Sequence, residues 1–178
     1  LRKAREVCTE RDLLQAHGTF YELPALNAGG AARLRPVATS DLAVHDYCSY
    51  RGLLVLSGLD PAAGAANRHV IRSEDGAAAV WVGAADDLWK LGKPRGHGGP
   101  WAKTAAQADV PSDPYLMTGY DRKTLSLENH SDDTVRITLE LDAAGDGRFA
   151  PWRTFRLQPG ERIHEKLPDG LNAYWVRA

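Results

Sequence analysis

The sequence predicts an all-β protein, mostly antiparallel, and three features carry that expectation. From Thr134 to Leu141 the residues alternate strictly, with Val135, Ile137, Leu139 and Leu141 on one face and Arg136, Thr138 and Glu140 on the other. A period of two is that of a half-buried strand. Turn chemistry recurs between such runs, at Asp75-Gly76, Pro159-Gly160 and Asp169-Gly170, and in the last third the spacing is about 8 to 12 residues, as in sandwiches and propellers. Finally, the apolar run Leu53 to Leu56 is bounded by Gly52 and Gly58, too short for a buried helix and suited to a central strand buried on both faces.

Taken in order, residues 1–16 are charged, and RDLLQA has helix-forming composition. They are compatible with a short helix, although no clean cap follows. HGTFYEL (17–23) reads as a strand and PALNAGGAA (24–32) as a loop. Residues 34–38 form a short strand whose Pro36 suits a sheet edge. After the central strand, 60–67 is a surface loop. Residues 69–73 and 77–84 flank Glu74-Asp75-Gly76 as a hairpin, and DLWKL (87–91) continues or follows it. Residues 92–114 differ in kind: six of the first nine are Gly or Pro, and a connection this long is usually functional. The runs 124–128, 134–141, 152–157, 162–167 and 172–177 complete a meander of five strands.

At 178 residues the chain is one domain, two at most. It reads as one all-β unit, with a possible subdivision into 1–114 and 115–178. Hydrophobic residues are 43% and charged residues 25%, ordinary for a globular protein. Lys plus Arg total 22 against 23 for Asp plus Glu, so the basic excess that phosphate contacts need is absent and no nucleic-acid partner is expected. No apolar run approaches the roughly 20 residues of a membrane span. The first residue is Leu1 and the only methionine is Met117. The chain therefore reads as an interior piece of a longer precursor, and the rest of that precursor or a partner subunit is expected beside it. Cys8 and Cys48 are compatible with one disulfide closing a loop of about 40 residues, or with two buried thiols. A propeller blade takes about 40 to 50 residues. The chain thus suits a portion of a β-propeller, or a propeller piece followed by a packed antiparallel sheet.

RGLLVLSGL, AVWVGAADDLWKLGKPRG, GGPW, SDPYLMTGYDRKTLSLENHS and the closing PDGLNAYWVRA give residues 45–178 a resemblance to the C-terminal region of secreted microbial β-propeller proteins that degrade glycans. The nearest family is the rhamnosyl-glucuronate lyases. That resemblance implies a secreted or periplasmic protein acting on the acidic, uronic-acid-containing side chains of polysaccharides, by β-elimination rather than hydrolysis. The alternative is a non-catalytic β module that binds carbohydrate or packs beside a catalytic domain.

A uronate lyase needs a cation or neutral acid against the developing enolate and a base beside the carboxyl group. Sugar faces also want aromatic platforms. Two clusters hold such residues. The first is His45, Asp46, Tyr47, Tyr50 and Arg51: His45 and Tyr47, on alternate positions, suit a base and an acid, and Arg51 suits a carboxylate. His17 and Tyr21 join them only if the strands are neighbours. The plain alternative makes the tyrosines packing residues and His45 a surface residue. The second cluster is Trp89, Lys90, Lys93, Arg95, His97 and Trp101, cations interleaved with aromatics in the Gly/Pro loop, as an acidic sugar requires. Its alternative is a structural loop with core-plugging tryptophans and solvated cations. Asp86 and Asp87, being adjacent, make a poor glycosidase pair. Asp142, Asp146 and Gly147 resemble a calcium loop without its downstream Glu, so calcium is the one cofactor considered, against a plain hairpin turn. Asn129-His130-Ser131 matches a glycosylation acceptor.

Overall fold

Burial at every second residue, not every third or fourth, decides the start of the chain. Leu13 and Gln15 are buried and Leu14 between them is half-exposed, so RDLLQA is a strand and the short helix expected over 1–16 does not form. The computed structural model describes residues 2–8, 11–63, 66–101 and 105–178. Positions 1, 9 and 10 of the expected helix, 64 and 65 of the expected 60–67 loop, and 102–104 of the Gly/Pro loop lie outside the described residues. The chain divides into two compact units, Leu1–Arg95 and Gly96–Ala178, so the division falls inside the Gly/Pro loop and not after Pro114.

The first unit has two four-stranded antiparallel sheets. β1 (Arg2–Val7), β2 (Arg11–Ala16), β3 (Thr19–Leu23) and β4 (Arg35–Thr39) pair in chain order. Pro36 sits on β4, an edge strand, where its missing N–H costs nothing. The second sheet contains β5 (Asp46–Tyr50), β6 (Leu53–Leu59), β7 (Val70–Arg72) and β8 (Ala79–Gly83), in the order β5-β6-β8-β7. The expected hairpin forms, with Val70 opposite Trp81 and Arg72 opposite Ala79. Residues 85–91 form a 3-10 segment after it. β6 is a central strand, but it is not buried on both faces: Leu54 and Leu56 are fully buried, whereas Leu53 is 43% exposed. Only one face of this sheet meets the core, so period-two burial applies even to an unbroken apolar run.

One core joins both sheets of this unit, with Leu13, Phe20 and Val37 from the first and Tyr47, Leu54, Leu56 and Trp81 from the second. Phe20 and Tyr47 meet edge to face at 5.6 Å between centroids, a favoured aromatic geometry. Cys8 and Cys48 form no disulfide; Cys48 lies on the exposed face of β5.

The second unit is two antiparallel layers. β9 (Tyr115–Leu116), β11 (Val135–Asp142), β12 (Ala150–Leu157) and β14 (Trp175–Arg177) form a sheet in the order β12-β11-β14-β9, and β10 (Thr124–Glu128) pairs with β13 (Arg162–Lys166). This is not the expected meander. The turns at 129–133 and 158–161 carry the chain from one layer to the other, and both are pinned by one side chain. Asn129, 4% exposed, donates through Nδ2 to the carbonyls of Asp133 (2.7 Å), Leu157 (3.3 Å) and Gln158 (3.1 Å). Its Oδ1 accepts from the amide and hydroxyl of Ser131. That buried, fully engaged amide is a structural rivet and is closed to glycosylation in the folded protein. Leu127, Leu139, Phe155 and Leu157 fill the space between the layers. A bulge between Leu139 and Glu140 leaves Trp152 without an opposite residue and turns it towards the core.

The loop that resembles a calcium site is closed by its own backbone. Asp142, 1% exposed, accepts from the amides of Ala144 (3.1 Å), Gly145 (2.8 Å), Asp146 (3.3 Å) and Gly147 (2.8 Å). Among the described residues no group of three acidic, His or Cys side chains is placed to hold a metal. No helix among the described residues is long and apolar enough to cross a membrane.

Burial alone would push the Asp142 carboxyl up, but the four amides together hold it below the ordinary carboxylate range. A depressed folded value stabilises fully above the unfolded value of about 3.9 and loses that contribution as pH falls through the folded one. Asp142→Asn is therefore expected to lower stability by about 2–4 kcal/mol at pH 7, with the urea midpoints of variant and parent converging as the pH is lowered from 5 towards 3.

Candidate functional site

The first expected cluster is dispersed by the strand that carries it. Tyr47 points into the core, 1% exposed, with its hydroxyl 2.5 Å from the Leu13 carbonyl oxygen and 2.9 Å from that of Lys3. Burial pushes its phenol up to about 12, and no solvent or ligand reaches it. His45 is on the outside and lies over Gly58, where an added Cβ would come 2.5 Å from the His45 Cβ. Arg51 and Gly52 form the β5–β6 turn with φ of 49° and 78°, the two left-handed residues that a two-residue hairpin demands. The Arg51 guanidinium rests over Tyr50. His45 and Arg51 are six residues apart along one strand, roughly 20 Å, and do not converge with Tyr47. Asp46 is engaged by Lys3 (2.8 Å) and Arg5 (3.0 Å). Tyr21 is on β3 of the other sheet and His17 is in the turn between β2 and β3, and neither is a strand neighbour of β5.

The second expected cluster falls on both sides of the division between units. Trp89, Lys90, Lys93 and Arg95 lie in the first unit, and His97 and Trp101 in the second. Lys90 is paired with Asp87 at 2.6 Å. Arg95 is pinned through its backbone, with its amide donating to Thr39 Oγ1 at 2.8 Å, and its guanidinium pairs with the well-exposed Asp41 at 2.6 Å. Lys93 and His97 are exposed and Trp101 is half-buried. Three of the loop's four glycines have a structural cause. A Cβ at Gly96 would meet the Tyr120 hydroxyl at 3.0 Å, one at Gly98 would overlap Tyr115, and one at Gly92 would press on the Thr39 carbonyl at 2.7 Å. The close approach that these glycines allow is to the chain itself.

What the structure does assemble is a cleft of about 80 Å³ around Trp89, lined by Arg11, Leu13, Glu22, Arg35, Val37, Ala85, Asp86 and Leu88. Strand register builds it. Leu13 on β2, Glu22 on β3 and Arg35 on β4 lie in one row across the sheet, and residues directly opposite point to one face. Arg11 and Val37 share that face by their spacing of two from Leu13 and Arg35. The 3-10 segment packs on it and buries Leu88, 1% exposed, and Ala85. Asp87 turns inward on its own segment to accept from the Ala84 amide at 2.9 Å, which leaves Asp86 to face the cleft.

The rim is charged and internally neutralised. Arg11 pairs with Asp86 at 2.6 Å, and this hydrogen bond raises the Arg11 guanidinium further above its ordinary value. Arg35 pairs with Glu22 and sits 5.8 Å from the Trp89 ring centroid. Trp89 is 52% exposed, so it is a wall of the cleft and not a core plug. Arg11, Glu22, Arg35 and Asp86 are functional candidates absent from the sequence reading. The usable signal was a charged residue at or next to the end of each of three successive strands, hidden while Arg11 was placed on a helix. Compared with protein-family models, with curated proteins and with solved structures, the chain matches none.

Tyr47→Phe removes the hydroxyl from the Lys3 and Leu13 carbonyls. The expected outcome is a loss of roughly 1–2 kcal/mol in chemical denaturation.

Proposed function

We propose that this chain is a non-catalytic carbohydrate-binding module of a glycan-degrading protein, and that the cleft of the first unit seats one sugar residue against Trp89. The observation that carries the reading is a half-exposed indole standing over an apolar floor of Leu13, Val37 and Leu88, flanked by two guanidinium–carboxylate pairs. Sugars present exactly two kinds of surface, C–H faces and hydroxyl edges. An aromatic wall suits the first, and carboxylates and guanidinium groups suit the second. The cleft is shallow against the 300 Å³ or more of sites that enclose a ligand, which fits the edge of one ring in an extended chain and weak binding at each site.

β-Elimination asks for more. It needs an unengaged proton acceptor beside the bound carboxylate, and the two carboxylates among the described residues lining the cleft, Asp86 and Glu22, are each held by an arginine. The module reading needs only binding, and it is preferred on that ground. In the same reading each four-stranded sheet of the first unit is one propeller blade. A closed propeller takes at least about four blades, so the others come from further residues of the protein or from a partner chain, in a secreted or periplasmic setting.

The test is affinity electrophoresis of the chain through gels containing polysaccharides. Retardation of the parent and an about tenfold weaker retardation of Trp89→Ala, a loss of about 1.4 kcal/mol, is the expected result, with Trp101→Ala unchanged. Equal retardation of the parent and Trp89→Ala would remove the cleft from the function.

A further inference from the structure

The charges around Trp89 also bear on which sugar the cleft takes. We propose that it is selective for neutral, hydroxyl-rich sugar residues and discriminates against uronic acids, an inference that rests on the module reading above. Two cations, Arg11 and Arg35, and two anions, Asp86 and Glu22, border the cleft, and each cation is already bound to an anion. The rim is therefore formally neutral. A uronate entering it either displaces Asp86 or Glu22 from its arginine or takes that arginine's remaining N–H donors, and in both cases its charge lies beside a second carboxylate. Like charges at that range repel. Contact without net charge attraction gives a carboxylate ligand no advantage.

A neutral sugar meets no such conflict. A guanidinium has five N–H donors and a carboxylate about four lone-pair sites, and the single ion-pair contacts at Arg11–Asp86 and Arg35–Glu22 leave most of both unused. Vicinal hydroxyls, each a donor and an acceptor, fit between the members of a pair without breaking it. The ring's C–H face then lies on Trp89. The pairs also hold the four polar side chains in place before the ligand arrives, which reduces the ordering cost of binding.

The two sugar classes are separated with one backbone in two charge states. Polygalacturonate and its carboxyl-reduced galactan are each cast in affinity gels, beside neutral glucan, mannan and xylan and acidic alginate. The expected result is retardation by one or more neutral polymers, at least tenfold stronger than by any acidic one and unchanged between 20 and 500 mM salt, since no ion pair with the ligand is formed. Asp86→Asn frees the Arg11 charge. It is expected to strengthen retardation by the acidic polymers severalfold and to make it salt-sensitive. Stronger retardation of the parent by the acidic polymers, lost at high salt and lost in Trp89→Ala, would overturn the neutral-sugar selectivity and leave the module reading standing. Retardation by none of the polymers would overturn both.

Discussion

The hydroxyl of Tyr47 fastens the two sheets of the first unit, and the position of the cleft follows from that fastening. β5 is hydrogen-bonded to β6 alone within its sheet. Its other anchors are the Tyr47 hydroxyl on the Lys3 and Leu13 carbonyls and the Asp46 carboxylate between Lys3 and Arg5. These contacts set the second sheet against β1 and β2. Because residues 85–91 follow β8 directly, the same placement lays the 3-10 segment over the row Leu13, Glu22 and Arg35. A buried hydroxyl without a partner is costly, so the contact is selective as well as attractive: a shifted sheet would strand it.

The second unit obeys the same constraint through different groups. Its layers are thin, and its buried apolar set is small. Two polar side chains withdrawn from water organise its corners: Asn129 ties both layer-to-layer turns, and Asp142 closes the turn between β11 and β12. Each satisfies backbone groups that a corner leaves without ladder partners. In both the motif that looks like a glycosylation acceptor and the one that looks like a cation loop, the buried side chain is bonded to nearby backbone.

The all-β class was legible because period-two burial and turn residues are local. Val135 to Leu141, the hairpin around Asp75-Gly76 and the edge position of Pro36 all follow from neighbours in sequence. Pairing was less legible. The run 124–128 and the run 134–141 look like a hairpin, but the buried amide of Asn129 at the corner diverts them into separate layers. RDLLQA has helical composition, and only its pairing with β1 and β3 makes it a strand. The site was least legible. Arg11 and Asp86 are 75 positions apart, and no spacing joins them; only the packing of the 3-10 segment on the first sheet does. Trp89 was visible as an aromatic beside cations, yet its neighbours in the cleft include residues upstream on β2, β3 and β4 and none downstream in the Gly/Pro loop, where Gly92, Gly96 and Gly98 lie close to Thr39, Tyr120 and Tyr115.

The proposed function rests on a small, partly apolar cleft whose charges are paired, a surface suited to recognition more than to proton transfer. The most direct measurement is a two-dimensional NMR titration of the five indole N–H signals of the chain with a neutral oligosaccharide. The Trp89 signal is expected to shift in step with the methyl groups of Leu13, Val37 and Leu88, while Trp101 stays in place. A saturable shift at Trp101 with Trp89 unmoved would place the ligand on the Gly/Pro loop and contradict the cleft.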